Sequence, residues 1–271
     1  MAYNLLKGKK GIIFGALDYK SIAWKTAIKA HEEGARLILT NAPIALRMGT
    51  IHDLSRMIGD APVIGADATS VEDIENLYVA ARDHFEGGVD FILHSIGMSP
   101  NVRKGRSYGD LNYEWFQKTL DVSGLSFHKV MQVAEKMDIM NEWGSIVALS
   151  YIAAQRTYPD YSDMAQAKAL LESIARSYGY RMALKNKVRV NTISQSPTVT
   201  TAGTGVGGFD VFIDFAEKMS PLGNASAEEC ANYCIVMFSD LTRKVTMQNL
   251  MHDGGFSSSG ITEKLIEDLK K

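Results

Sequence analysis

The residues best able to do chemistry stand close together in Ser150-Tyr151 and in Tyr158-Pro159-Asp160-Tyr161-Ser162-Asp163-Met164-Ala165-Gln166-Ala167-Lys168. Tyr161 and Lys168 are seven positions apart. At about 100° per residue, that step returns to nearly the same helix face two turns on, so both side chains can point into one cleft. A phenol there can donate to a carbonyl oxygen that is gaining charge, and an ammonium group can bind ribose hydroxyls and stabilise negative charge nearby. Hydride addition needs both kinds of help. Spacing alone also describes a half-buried tyrosine and a surface lysine that share a face by chance.

A dinucleotide would be sought first at the turn Gly11-Ile12-Ile13-Phe14-Gly15-Ala16-Leu17-Asp18-Tyr19-Lys20-Ser21-Ile22-Ala23, which is not GxGxxG. It offers a glycine closing a strand and small residues where a helix begins, and a phosphate at a helix N-terminus gains from free N–H groups and the local dipole. A strand ending in Gly and a Ser-capped helix need no ligand to explain them. His94-Ser95-Ile96-Gly97 lets backbone lie against a ribose or nicotinamide, or is simply a turn. Asp67 could accept from an adenine amino group, or cap the helix near Ser70 to Glu75.

The elements that must position these residues follow from periodicity. Strands are expected at Gly11 to Gly15, Arg36 to Thr40, Pro62 to Gly65, Val89 to Ile96, Gly144 to Leu149, Val188 to Ile193 and Thr246 to Met251. Helical patterns lie between them at 21–34, 44–58, 70–86, 113–141, 161–185 and 226–239. Strand and helix alternate, which predicts an α/β, doubly wound Rossmann-type fold with a seven-stranded parallel sheet flanked by helices, its ligands beyond the carboxyl ends of the strands. With no repeat or Pro-rich linker, residues 1–271 are expected to form a single dinucleotide-binding catalytic domain. A net charge of -2 offers no general field for nucleic acid, and no apolar run is long enough to cross a bilayer. The N-terminus has no secretory pattern, and Cys230 and Cys234, at i,i+4, read as core fillers, so a cytoplasmic location is expected.

Together these segments resemble the enoyl-acyl-carrier-protein reductases of bacterial fatty-acid synthesis, a divergent branch of the short-chain dehydrogenase/reductase family. The match includes Gly15-x5-Ser21-Ile22-Ala23, Leu93-His94-Ser95-Ile96-Gly97, Leu120-Asp121-Val122-Ser123 and Leu149-Ser150-Tyr151. It continues through Tyr161-x6-Lys168, Val188-Arg189-Val190-Asn191-Thr192-Ile193-Ser194 and His252-Asp253-Gly254-Gly255-Phe256. The Tyr-x6-Lys spacing discriminates, because most short-chain dehydrogenases use Tyr-x3-Lys with an upstream serine.

The resemblance implies that Tyr161, Lys168 and Tyr151 are the catalytic residues: Tyr161 hydrogen-bonds a thioester carbonyl, Lys168 contacts the nicotinamide ribose, and Tyr151 and Met164 line the acyl pocket with Tyr161. It places Gly15, Ser21, Ile22, Asp67, Ala68, Ser95, Ile96, Gly97, Pro197, Thr198 and Thr200 at the cofactor. It implies hydride transfer from NAD(P)H to the β-carbon of a trans-2-enoyl thioester on acyl carrier protein, no metal, a homotetramer, and a substrate-binding lid at about 200–219, where Phe209, Phe212 and Phe215 could face the acyl chain.

Three departures stand out. Gln195-Ser196 precedes Pro197 where the family usually has Ala-Gly, which puts the loop geometry in question. Asn101 to Asp110, with Arg103, Lys104 and Arg106, is unusually basic and could meet the acidic carrier protein or be a solvated turn. The second strand ends in Thr40-Asn41-Ala42-Pro43, with no acid for a ribose 2′-hydroxyl and no immediate basic cluster for a 2′-phosphate. NADH is therefore favoured, and Arg47 keeps NADPH open. A reductase of another activated alkene or carbonyl, or a dinucleotide sensor without turnover, remains the alternative.

Overall fold

Burial on both faces explains why the apolar runs lack polar alternation. In β1 (Lys10–Phe14), Ile12 and Phe14 enter one hydrophobic layer and Ile13 the other. β4 (Val89–His94) sends Val89 and Ile92 to the first layer and Phe91 and Leu93 to the second. β5 (Met140–Ser150) divides Ile146 and Ala148 from Val147 and Leu149 in the same way. Two-sided burial of this kind belongs to a parallel sheet covered by helices on both faces.

The remaining strands are β2 (Arg36–Asn41), β3 (Val63–Gly65), β6 (Arg189–Gln195) and β7 (Asn249–His252). The computed structural model describes residues 2–48, 50–158, 161–200 and 209–270. Its seven strands run in the order β3-β2-β1-β4-β5-β6-β7, and every neighbouring pair is parallel. The order reverses between β1 and β4, which opens a crevice beyond their carboxyl ends.

The first layer is closed by α4 (Val71–Phe85), α7 (Ser126–Met137) and α8 (Met164–Asn186), the second by α1 (Ile22–Glu32) and α10 (Ala227–Phe238). Cys230 and Cys234 are buried and unbonded in the second layer, as expected of core fillers. There Phe91 stacks on Phe238 with ring centroids 4.5 Å apart, and a Cβ at Gly11 would lie 2.2 Å from the Phe91 ring. Truncating such a phenylalanine costs about 3–5 kcal/mol. Among the described residues, no helix is long and apolar enough to cross a membrane.

Several boundaries differ from the sequence expectation, each with a local cause. The helix expected over 113–141 is three pieces: α6 (Tyr113–Leu120), a π-helical turn Asp121–Leu125, and α7, which ends where Asp138 takes φ 52°. The one expected over 44–58 is α2 (Pro43–Met48) and α3 (Ile51–Met57). β5 begins at Met140 instead of Gly144, through a register shift against β4 between Val89 and Phe91. β7 starts at Asn249 because Met247 has φ 63°. Periodicity did not mark α5 (Pro100–Arg103), α9 (Phe209–Met219) or α11 (Glu263–Leu269).

Candidate active site

Gly15 closes β1 at φ 95°, and a Cβ there would lie 2.0 Å from the Ser95 carbonyl oxygen at the end of β4. The crevice floor therefore needs glycine on two counts, backbone conformation and space. Ser21 caps α1: its Oγ accepts from Trp24 N–H at 3.2 Å and donates to the Asp18 carbonyl at 2.9 Å. Ile22 opens the helix, its side chain buried in the second layer. The positive end of α1 thus abuts the β1–β4 crevice, the setting that favours a phosphate.

Beyond β3, Asp67 is held by a local turn in which Thr69 N–H and Oγ1 donate to Asp67 Oδ1 at 2.9 and 2.7 Å. Ser70, not Asp67, caps α4 by accepting from Asp73 N–H. Asp67 Oδ2 has no partner among the described residues and can accept an amino group, while Ala68 is buried beside it. At the end of β2, Asn41 donates to the Ala16 carbonyl and accepts from Ala42 N–H, so its side chain serves the fold. Arg47, on α2, is exposed.

The other wall is built from residues far apart in sequence. Lys168 Nζ is buried and donates to the Leu149 carbonyl at 2.8 Å and, more weakly, to the Ile96 carbonyl at 3.4 Å, tying the ends of β5 and β4 together. An ammonium group has three protons, so one remains for a ribose hydroxyl. Burial lowers the Lys168 pKa to about 8, with the Glu172 charge opposing the shift. Glu172 is itself buried and accepts from Ser150 Oγ at 2.6 Å and Gln155 Nε2 at 3.0 Å. A Cβ at Gly97 would come 3.6 Å from Lys168 Nζ and 3.9 Å from Met164 Cε, so the loop after β4 lies directly over the lysine.

Behind it, His94 is fully buried with Nε2 2.9 Å from Ser126 Oγ. The Ser126 hydroxyl donates to the Val122 carbonyl at 2.7 Å, so it accepts from His94, which places the proton on Nε2 and leaves Nδ1 bare and unpartnered. Burial, aided by the Lys168 charge, drives the His94 pKa down to about 3, so the imidazole is neutral and Lys168 is the one cation of this pair.

Tyr161 does not share an α-helix with Lys168, as the seven-residue spacing suggested, but lies in a 3-10 turn ahead of it. α8 starts at Met164, and Ser162 has φ 47°, so the turn ahead of the helix delivers the phenol. The Tyr161 ring packs against Tyr151 with centroids 5.1 Å apart, and also against the cluster of Val102, Met164 and Ala167. Its hydroxyl has no partner among the described residues and is not sealed from solvent, whereas the Tyr151 hydroxyl is buried without a partner. Burial raises the pKa of both phenols, which keeps them protonated and able to donate. Tyr158 influences Tyr151's titration but makes no hydrogen bond of good geometry to it; burial pushes the Tyr158 pKa up to about 12.

Sequence reasoning missed Tyr158 and gave Phe256 no role. Tyr158 lies 5.5 Å from Tyr151 and 4.9 Å from Phe212, and Phe256 lies 6.3 Å from Tyr158 and 6.2 Å from Phe215, all between ring centroids. Their signal was aromatic character close to assigned motifs. Phe212 and Phe215 thus join the aromatic wall; the Phe209 side chain and residues 201–208 of the expected lid lie outside the described residues.

Gln195, where the family pattern has a small residue, is buried and clamps the loop after β6. Its Oε1 is 2.9 Å from His252 Nδ1, and its Nε2 donates to Thr198 Oγ1 at 3.0 Å and, more weakly, to the Ala225 carbonyl at 3.3 Å. Ser196 Oγ accepts from Ala225 N–H at 3.1 Å. The Thr198 hydroxyl is engaged by these contacts and by the Ser196 carbonyl, so Pro197 and Thr198 would meet a ligand through the main chain. In the basic segment, Arg106 is paired with Asp110 and lies over Trp115, while Arg103 and Lys104 are exposed.

The structure therefore gathers Gly15, Ser95, Ile96, Gly97, Tyr151, Tyr161, Met164 and Lys168 around the end of β1, β4 and β5, with Ser21 and Asp67 along the adjoining edge and Pro197 and Thr198 beyond β6. The free Asp67 oxygen, the side-chain-free floor at Gly15 and the third Lys168 proton fit a dinucleotide.

A family model described as "Enoyl-(Acyl carrier protein) reductase" matches residues 15–257. Among curated proteins, the NADH enoyl-[acyl-carrier-protein] reductase FabI of Rickettsia bellii is 34% identical, covering 96% of this chain and 98% of the relative. Enoyl-[acyl-carrier-protein] reductase [NADH] 1 of Rhizobium meliloti is 32% identical, covering 96% and 94%. Among solved structures, the FabI–NADH complex from Alistipes finegoldii is 64% identical with a TM-score of 0.95, covering 97% of this chain and 92% of that one.

Proposed function

This chain belongs to the enoyl-acyl-carrier-protein reductase family, and from that premise we propose that it reduces the trans-2 double bond of an enoyl thioester carried on acyl carrier protein, with NADH as cofactor, in fatty-acid elongation. The observation that carries the reading is the contrast between two phenols in one aromatic wall: Tyr161, on the turn ahead of the helix that carries buried Lys168, keeps an unengaged hydroxyl that is not sealed, and the Tyr151 hydroxyl is sealed.

When bound, NADH would supply the hydride for the β-carbon. Tyr161 donates a hydrogen bond to the thioester carbonyl and stabilises the enolate charge that develops there. A proton drawn from solvent, through the Tyr161 hydroxyl or a water relay, then reaches the α-carbon, which completes the saturated thioester. Lys168 holds the nicotinamide ribose through its remaining proton and lends positive charge to the site. Gly15, Ser21, Ile22, Asp67, Ala68, Ser95, Ile96, Gly97, Pro197, Thr198 and Thr200 hold the rest of the dinucleotide, and Tyr151 and Met164 line the acyl pocket. The lack of a basic cluster at the end of β2 supports NADH over NADPH.

In this reading, residues 1–271 act as one catalytic domain in the cytoplasm, with a lid over about 200–219 that excludes water during reduction. Exposed Tyr180 and Leu184 on α8 offer apolar surface for a homotetramer. The test follows loss of reduced-nicotinamide absorbance with crotonyl thioester and NADH or NADPH in parallel. Alkene-dependent oxidation that prefers NADH and falls in Tyr161→Phe and Lys168→Met supports the proposal. No oxidation of either cofactor, even with a longer enoyl chain on carrier protein, overturns it and favours a sensor or a carbonyl reductase.

A further inference from the structure

Among the described residues, main-chain bonds tie the turn that carries Tyr161 to α8 only through Ala165 N–H to the Ser162 carbonyl at 3.4 Å and Ala167 N–H to the Asp163 carbonyl at 3.2 Å; α8 begins three residues after Tyr161, and Ser162 is left-handed. Asp163 provides another anchor. An aspartate just ahead of a helix ordinarily caps it, but here the side chain makes no cap hydrogen bond. Its carboxyl group is fully buried and meets three donors from other elements: Ser99 Oγ at 2.6 Å, Asn101 Nδ2 at 2.7 Å and Thr119 Oγ1 at 2.9 Å.

Proton accounting fixes the first two. Ser99 Oγ already accepts from Val102 N–H at 3.0 Å, so its single proton goes to Asp163 Oδ1. Asn101 Oδ1 accepts from Asn112 N–H at 3.0 Å, which orients the amide with Nδ2 towards Asp163 Oδ2. The Thr119 proton is shared between Asp163 and the Trp115 carbonyl. A carboxyl group withdrawn from water is tolerated when its acceptor sites are filled in this way. The same loop sends Val102 into the cluster of Met164 and Ala167 on which the Tyr161 ring rests.

We propose that Asp163 is a positioning residue for the reduction: by fastening the Tyr161 turn to α5 and α6, it sets where the Tyr161 hydroxyl stands relative to the substrate carbonyl. This rests on the reading of Tyr161 given above. Asp163 makes its contacts to Ser99, Asn101 and Thr119 and acts through its neighbour two residues upstream.

The test is a double-mutant cycle on crotonyl-thioester reduction with wild type, Asp163→Asn, Tyr161→Phe and the double variant, accompanied by NADH binding from nicotinamide fluorescence and by thermal melting. Asparagine keeps the shape and can still accept from Asn101 and Thr119, while its amide opposes the Ser99 donor. The expected result is a kcat lowered about tenfold by Asp163→Asn, the order produced by misplacing a reacting group by a fraction of an ångström. NADH affinity should be unchanged, and the substitution should have no further effect in the Tyr161→Phe background. Ser99→Ala, which leaves the turn itself intact, should act in the same direction and carries the cycle if Asp163→Asn does not fold. An equal loss in the wild-type and Tyr161→Phe backgrounds, or a folded variant with wild-type kcat, overturns the proposal. Wild-type turnover that Tyr161→Phe leaves untouched overturns the reading of Tyr161 and this inference with it, a pattern distinct from an intact Tyr161 effect with a silent Asp163.

Discussion

The two walls of the crevice satisfy their polar groups in opposite ways. On the β1–β3 side, most partners are sequence neighbours: Ser21 with Asp18 and Trp24, Asp67 with Thr69, Asn41 with Ala42, the Asn41 bond to the Ala16 carbonyl being the exception. On the β4–β5–α8 side they are distant: Lys168 with Leu149 and Ile96, His94 with Ser126, Glu172 with Ser150, Asp163 with Ser99. Among the described residues, that second wall also keeps His94 Nδ1, the Tyr151 hydroxyl and Ser162 Oγ buried without partners, against Thr40 Oγ1 on the first. Unsatisfied buried groups cost stability, so each one a native protein keeps needs a reason. The first wall is a holder assembled from caps and turns; the second is a preorganised site assembled from the tertiary fold.

The sharpest test of that division is Lys168→Met. Turnover should fall by about 10²-fold or more, the scale of losing a positioned charge in a reaction site, while the melting temperature changes little because a buried cation is removed along with its bonds. The wild-type rate should also decline as pH rises through about 8, where Lys168 gives up its proton, and this limb should vanish in the variant. An unchanged rate in Lys168→Met would place the chemistry elsewhere.

Acid stability separates the walls next. His94 has a folded pKa of about 3, below its unfolded value near 6.5, so the unfolded state binds more protons between those values. Its contribution to stability is present above about 6.5 and is lost as pH falls towards about 3, an effect of several kcal/mol at the low end. Denaturant titrations across that range should show a shallower acid slope in His94→Asn, and a slope as steep as wild type would contradict the assignment.

Gly15→Ala probes the point where the walls meet. With φ 95° and a Cβ 2.0 Å from the Ser95 carbonyl, it should destabilise by about 1–3 kcal/mol or more, read as a lower melting temperature. Ser21→Ala, confined to the holder, should cost only about 1 kcal/mol by calorimetry, and kcat should stay near wild type. A kcat collapse there would erase the distinction between the two walls.

This contrast also explains what was legible in the sequence. The seven strands and their parallel arrangement follow from apolar runs that bury both faces, and Ser21 and Asp67 were visible because their partners lie within three residues. Tyr161 and Lys168 were found by their spacing, but the helix that justified it excludes Tyr161; tertiary contacts, not helical periodicity, bring the phenol to the site. Asp163 and Glu172 carried no local signal, since their partners come from other elements, and Tyr158 offered only its aromatic character close to Tyr161. The departure at Gln195-Ser196 was visible, yet its consequence, a clamp through His252 and Thr198, needed β7 laid beside β6.

The most direct measurement compares wild type, Tyr161→Phe and Tyr151→Phe in NADH-dependent reduction of an enoyl thioester, with melting temperatures taken alongside. The account predicts a loss of about 10²-fold in Tyr161→Phe with stability unchanged. Tyr151→Phe should remain active and melt at the same or a higher temperature, because it removes a buried hydroxyl that has no partner. A fully active Tyr161→Phe beside an inactive Tyr151→Phe would contradict it.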